Sequence, residues 1–125
     1  MSSPTLDAGA LIAFERGDRA MLALIVVARQ DRTKLVVPAG VVAQVWRDGR
    51  TQARLARLLG SDTVEVEALT DQRARAAGQL CGVAKTTDIV DASVVLCARE
   101  RGGGVITSDA GDLLALDPTL RVIRV

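Results

Sequence analysis

The chain has 125 residues, 49% hydrophobic and 25% charged, with 16 basic and 15 acidic side chains and a formal net charge of +1. That size and apolar content suit one domain whose core needs neither disulfides nor a structural metal. The near-zero charge excludes the strong positive field of an autonomous nucleic-acid binder, and the lack of histidine excludes His-dependent triads, His-ligated zinc and the usual general base.

The elements alternate along the chain. A short strand is expected around Thr5 and Leu6, followed by a helix over Gly9 to Glu15. Asp18 caps a second helix over 19–30. "KLVVP" (34–38) is a strand that stops at Pro38, which suits the first turn of a helix over 39–47. Thr51 to Leu59 is amphipathic, with Leu55, Leu58 and Leu59 on one side and Arg54 and Arg57 on another. "TVEVEAL" (63–69) alternates like a half-buried strand, and Thr70 or Asp71 caps a helix to about Leu80. Asp88 opens the next helix, which ends near the triple glycine Gly102 to Gly104. "GVITSD" (104–109) is a buried strand and a turn, Asp109 to Leu116 a short helix, and "LRVIRV" a closing strand. This order predicts an α/β fold: a single domain over 1–125, with helices on a mostly parallel sheet of about four to five strands.

Cys81 and Cys97 have neither metal-type nor C-x-x-C spacing and read as buried free thiols. "MSSPTLDAG" lacks the features of a signal peptide, and "MLALIVVA" (21–28) is far shorter than the ~20 apolar residues of a membrane span. The expectation is a soluble cytoplasmic protein with no membrane contact.

Acidic residues fall where open α/β sheets place their sites, beyond the carboxyl ends of strands. Asp7 follows the first strand and Asp109 follows "GVIT", with Asp112 three residues on. Asp88 and Asp91 sit in the first turn of the long helix. If the first and fourth strands are neighbours, Asp7 and Asp109 share a cleft into which that helix start can point. Crowded carboxylates raise each other's pKa or demand a cation. Oxygen ligands without His or Cys suit Mg²⁺, with Mn²⁺ as a substitute, rather than zinc. Such an ion activates water and stabilises the charge of a phosphodiester displacement. Each acid also has a structural alternative. Asp88 is a good N-cap with Asp91 favouring the helix dipole, Asp7 and Asp109 can cap the helices that follow them, and Asp112 can be merely solvated.

The ordered set "TLDAGALIAFERGD", "VVPAGVVAQVWRD", "DIVDASVVLCARERGGGVITSDAGDL" and "RVIRV" resembles a PIN domain, and within that superfamily the VapC-type toxins of bacterial toxin–antitoxin pairs. The resemblance covers nearly the whole chain. It implies a three-layer α/β/α PIN-like sandwich and a Mg²⁺-dependent endoribonuclease that hydrolyses RNA phosphodiester bonds with a metal-held water. It carries the family's metal-binding and catalytic aspartates onto Asp7, Asp91 and Asp109, with Asp88 as an added catalytic acid and Asp112 as an accessory one. The family's second acid falls on Gln44, which is neutral. Gln44, Thr107 and Ser108 are accessory candidates, the last two as hydrogen-bond partners of a water on the ion.

The resemblance also implies a homodimer and a cognate antitoxin whose C-terminal segment covers the active site. The apolar "MLALIVVA" segment is core, a dimer face or a partner groove, and Trp46 is a candidate for part of that groove. Phe14 and Trp46 are the only aromatic residues, which argues against a stacking platform for RNA. Arg16, Arg19, Arg47 and Arg50 are candidate phosphate contacts. Two other readings remain. One is a PIN-like binding module, weakened at Gln44, that holds RNA or an antitoxin without cutting. The other is a Mg²⁺-binding receiver-type domain, which lacks a lysine after its last strands.

Overall fold

The computed structural model describes residues 2–125. Five strands form one all-parallel sheet: β1 (Ser3–Leu6), β2 (Leu35–Pro38), β3 (Val64–Glu67), β4 (Gly102–Thr107) and β5 (Val122–Arg124). Their order is β3-β2-β1-β4-β5. The helices are α1 (Ala8–Glu15), α2 (Arg19–Gln30), α3 (Ala39–Val45), α4 (Ala53–Leu59), α5 (Asp71–Ala84), α6 (Ile89–Arg101) and α7 (Gly111–Leu116). Right-handed crossovers place α1 to α4 on one face and α5 to α7 on the other. Packing agrees, since α1 contacts α2, α3 and α4 while α6 contacts α5 and α7. The result is a three-layer α/β/α sandwich. Among the described residues no helix is long and apolar enough to cross a membrane.

Strand β2 and the second half of β4 are buried on both faces, which is why they read as apolar runs, whereas central β1 (SPTL) is fully buried only at Thr5 and Leu6. Leu35, Val36, Val37, Val105 and Ile106 are all at or below 2% exposure. Leu6, Leu11, Met21, Leu55, Val94 and Val95 fill the space between sheet and helices. Burial of this kind contributes about 25 cal/mol per Å² of apolar surface and supplies most of the drive to fold. The segment 21–28 divides as its helical period dictates: Met21, Ile25 and Ala28 are buried, while Val26 and Val27 are about half exposed.

Edge strand β3 departs from the expected apolar-in pattern. Val64 is buried, but Val66 is 43% exposed, while the Glu67 side chain is only 14% exposed. The cause is charge pairing under α5 and α6. Arg101 pairs with Glu65 and Glu67, and Arg73 with Glu67 and Glu100. Both glutamates are therefore neutralised and Glu67 is also covered, whereas the valine lies at the open edge.

The triple glycine ends α6 and also forms the first half of β4. Gly102 caps α6 with a left-handed φ of 78°. A Cβ on Gly103 would lie 2.3 Å from the Ser3 carbonyl carbon, so only glycine lets β4 approach β1 there. Helix α5 runs to Ala84 rather than stopping near Leu80, because Lys85 adopts the left-handed cap (φ 58°) and its N–H reaches the Cys81 carbonyl. Lysine is strained in that conformation. Lys85→Gly is expected to stabilise the fold by about 0.5–1 kcal/mol, read as a higher denaturant midpoint at unchanged slope. Helix α3 stops at Val45 rather than 47, where Trp46 turns extended (ψ 130°).

Candidate active site

Strands β1 and β4 are adjacent, with Thr5 opposite Val105 and Leu6 opposite Ile106. From this pair the chain winds outward in opposite directions, through β2 and β3 on one side and to β5 on the other. The carboxyl edge between β1 and β4 is thus the switch point, where open sheets leave a crevice.

Asp7 leaves β1 into that crevice and is 8% exposed. Its Oδ1 accepts from the Ala10 N–H at 2.9 Å, so it does cap α1. Its Oδ2 accepts from the Thr107 hydroxyl at 2.5 Å, across the β1–β4 junction. Burial pushes the Asp7 carboxyl above its usual range; the Thr107 hydroxyl and the Ala10 N–H oppose the shift, and the charge of Asp109 adds to it. One residue thus has both the structural and the site position.

Thr107 is fully buried, and its Oγ1 also accepts from the Asp109 N–H at 3.0 Å. The same hydroxyl therefore orients Asp7 and the turn that presents Asp109. Asp109 is exposed, with Oδ1 accepting from the Gly111 N–H at 3.2 Å. Ala110, not Asp109, is the N-cap of α7, and it makes no side-chain cap. Ser108 is exposed beside Gly9, whose missing Cβ would sit 2.4 Å from the Ser108 Oγ.

Helix α6 begins with Asp88 as its N-cap, Oδ1 accepting from the Asp91 N–H at 3.0 Å. Asp91 is partly buried, ahead of the buried run Ala92 to Val95. Its carboxyl is pushed up to about 7, first by burial, then by the hydrogen bond and charge of Asp88, and then by the charges of Asp112 and Asp7. The repulsions trace one connected cluster: Asp109 acts on Asp7, and Asp7, Asp88 and Asp112 act on Asp91. Asp88, Asp91 and Asp112 share a cavity of about 180 Å³ with Thr86, Ala84, Ala115 and Leu116. Thr86 was not singled out in the sequence; its hydroxyl accepts from the Asp88 N–H at 3.2 Å, and its position two residues before a cap is the signal that points to it.

Gln44 is exposed, and among the described residues its side chain makes no hydrogen bond. It lies one turn beyond Gly40, which faces Val90, the neighbour of Asp91. That puts α3 beside the start of α6. The Trp46 ring packs over Gly49, where a Cβ would lie 3.0 Å away, so it is partly committed to its own loop. Arg50 pairs with Asp48, and Arg47 donates to the Ala43 and Trp46 carbonyls. Cys81 and Cys97 are buried free thiols. Cys97 donates to Glu67 and accepts from Thr5, and burial pushes it up to about 11.

A hard divalent cation fits the chemistry of this donor set: carboxylate oxygens only, with burial first and the neighbouring carboxylates after it holding a proton on Asp91 near neutrality. Among the described residues no three acidic or cysteine side chains already close around one point. The carboxylates lie along the crevice instead.

No family model matches the chain, and no curated protein sequence does. The fold is similar to that of a chain in the solved "Toxin-antitoxin complex from Klebsiella pneumoniae", at 15% sequence identity and a TM-score of 0.69. The match covers 97% of this chain and 96% of that one. At that identity the likeness is one of fold.

Proposed function

We propose that this chain is a Mg²⁺-dependent endoribonuclease of the PIN type, acting as the toxin of a toxin–antitoxin pair. The observation that carries the reading is the cluster of Asp7, Asp91 and Asp109 at the β1–β4 switch point, with Asp88 and Asp112 beside it. Its support as a toxin is the similarity in fold, over nearly the full length, to a chain of a toxin–antitoxin complex. Sequence motifs in the same order give the PIN resemblance. An antitoxin is the partner, and a second copy meets the half-exposed Val26 and Val27 face of α2.

Asp7, Asp91 and Asp109 would hold the ion, which supplies positive charge at the scissile phosphate and makes water nucleophilic at neutral pH. The chain's own groups prepare that chemistry. Thr107 and the Ala10 N–H fix the Asp7 carboxylate at both oxygens. Asp91 is the proton-labile member, and its proton must leave before it can serve as a ligand. Asp88 orients the Asp91 backbone while adding charge. Asp112 adds charge from the far wall of the cavity, offsetting the neutral Gln44.

The test is cleavage of total cellular RNA by antitoxin-free protein with Mg²⁺, Mn²⁺ or EDTA. Discrete fragments that need the metal are expected. Well-folded protein that leaves tRNA and rRNA intact under every condition would replace this reading with a non-cutting binding module. In the same preparation, Mg²⁺ is expected to raise the melting temperature more at pH 8 than at pH 6, because at pH 6 the ion must displace the Asp91 proton. An equal shift at both pH values would separate the ion site from Asp91.

A further inference from the structure

Two clefts flank the acid cluster, and they differ in charge. The one beyond Asp91 is walled by Asp88, Asp91 and Asp112 and repels phosphate. The other, of about 330 Å³, runs along α1 on the opposite side and is lined by Gly9, Ile12, Ala13, Arg16, Gly17 and Ser108. Positions 9, 12, 13 and 16 are one helical stripe, opposite the buried face of Ala10, Leu11 and Phe14. The cleft adjoins the acids directly, since a Cβ on Gly9 would be 2.4 Å from Ser108 Oγ and 3.4 Å from Asp7 Oδ1.

We infer that this α1 cleft seats the nucleotide next to the scissile phosphate of single-stranded RNA, with Arg16 holding the phosphate beyond it. The inference rests on the nuclease reading and gives it a substrate direction. Arg16 is exposed and, among the described residues, its side chain has no ion pair or hydrogen bond, so its charge is free for a ligand. The Ser108 hydroxyl likewise has no partner among them and points to a sugar or phosphate oxygen at the mouth of the cleft. Ile12, at 40% exposure, makes an aliphatic floor with Ala13 and Gly17 against which a base face can lie. Asp18 also lines the cleft, but its Oδ2 accepts from the Met21 N–H at 2.9 Å and caps α2. Arg16 lies about 13 Å of helix rise from Asp7, too far for the scissile phosphate itself. Base recognition here is by an aliphatic surface, which explains how a chain with two aromatic residues can still read a flanking base.

The experiment compares Arg16→Ala, Arg16→Glu and Ile12→Ala on a short single-stranded RNA and on bis(p-nitrophenyl) phosphate, a diester with no flanking nucleotide. Loss of one phosphate contact is expected to raise KM for RNA about tenfold in Arg16→Ala, and further in Arg16→Glu, with kcat nearly unchanged. The salt dependence of RNA binding should fall by about 0.7 in slope, one counterion's worth on a single strand. Hydrolysis of the small diester should not change. Ile12→Ala should alter the preference for the flanking base. Unchanged KM for RNA in both Arg16 variants, or equal losses on both substrates, would overturn the inference. A separate arm needs no turnover: labelled RNA binding to Asp91→Asn protein must weaken about tenfold when Arg16→Ala is added, and further with Arg16→Glu. Failure of wild-type cleavage alone would sink the nuclease reading; failure of this binding arm would sink the cleft assignment. Intact RNA binding with lost antitoxin neutralisation would make the cleft a protein contact instead.

Discussion

Asp91→Asn is expected to lose RNA cleavage by about a hundredfold or more while melting at a higher temperature than wild type at pH 8. The two effects share one cause. Asp91 stands in a partly buried position facing Asp88, Asp112 and Asp7, and its carboxyl is pushed up to about 7. In the unfolded chain it ionises near the ordinary aspartate value of about 4. Between those values the folded state keeps a proton that the unfolded state has lost, so stability falls as pH rises through the window towards about 7. Above it, the folded protein carries the full repulsion. Asparagine removes that charge. After solvent screening at this half-open site the gain is about 1–2 kcal/mol, or about 4–8 °C in melting temperature for a domain of this length. At pH 5, where folded Asp91 still holds its proton and only the first part of that window has been crossed, the gain should be much smaller. Melting curves of both proteins at pH 5 and pH 8, beside cleavage assays, check both halves. A variant that is inactive but no more stable at pH 8 would mean that the charges are relieved by another route in the folded protein.

The crowding of carboxylates around a partly buried Asp91 bears on how much the sequence made legible. Element order was readable because β2 and the second half of β4 are short apolar runs bounded by a proline, a glycine or a polar turn, and because parallel strands must alternate with helices. The acids were readable because they stand at strand ends and at a helix start, positions that a chain folding by these rules brings to one edge. What was not readable depended on neighbours remote in sequence. The exposure of Val66 follows from Arg73 and Arg101 drawing the glutamates of β3 under α5 and α6. The end of α5 followed from a left-handed lysine rather than from a glycine, so composition held no stop signal there. The double duty of Asp7 was hidden for the same reason: its cap to Ala10 is local, but its second oxygen meets Thr107, 100 residues away.

The distribution of charge across the crevice also bears on Gln44. A neutral residue there removes one formal charge from the β2 side, where α3 packs beside the start of α6. Asp112 and Asp88 add theirs from the α6–α7 side, in the cavity they share with Asp91. The negative field is therefore displaced away from α3 and towards α7, so a phosphate chain meets the most repulsion on the α7 side and less on the α1 and α3 flanks. Metal affinity and substrate direction are then coupled through the same arrangement of acids.

Thr107→Val is expected to lower kcat about 10–100-fold, with little change in KM, and to move the acid limb of the pH–rate profile to higher pH. Thr107 is fully buried at the end of β4, so valine retains most of its packing volume. What valine removes is the hydroxyl that donates to Asp7 Oδ2 and accepts from the Asp109 N–H. That donor opposes the rise imposed on Asp7 by burial. Without it the neutral form of Asp7 gains further, and activity, which requires the carboxylate, is lost at a higher pH as the solution is acidified. Asp7 would also be freer to turn, having lost the hydroxyl across the β1–β4 junction while keeping the Ala10 N–H. The folded protein should lose about 1–3 kcal/mol for the partner removed from a buried carboxylate. Thr107→Ser retains the hydroxyl and should recover most of the rate at the wild-type pH dependence. Measured kcat and KM from pH 5 to pH 9 decide the case. A uniform loss in Thr107→Val with an unmoved acid limb would mean that Thr107 supports the strand but does not set the protonation of Asp7.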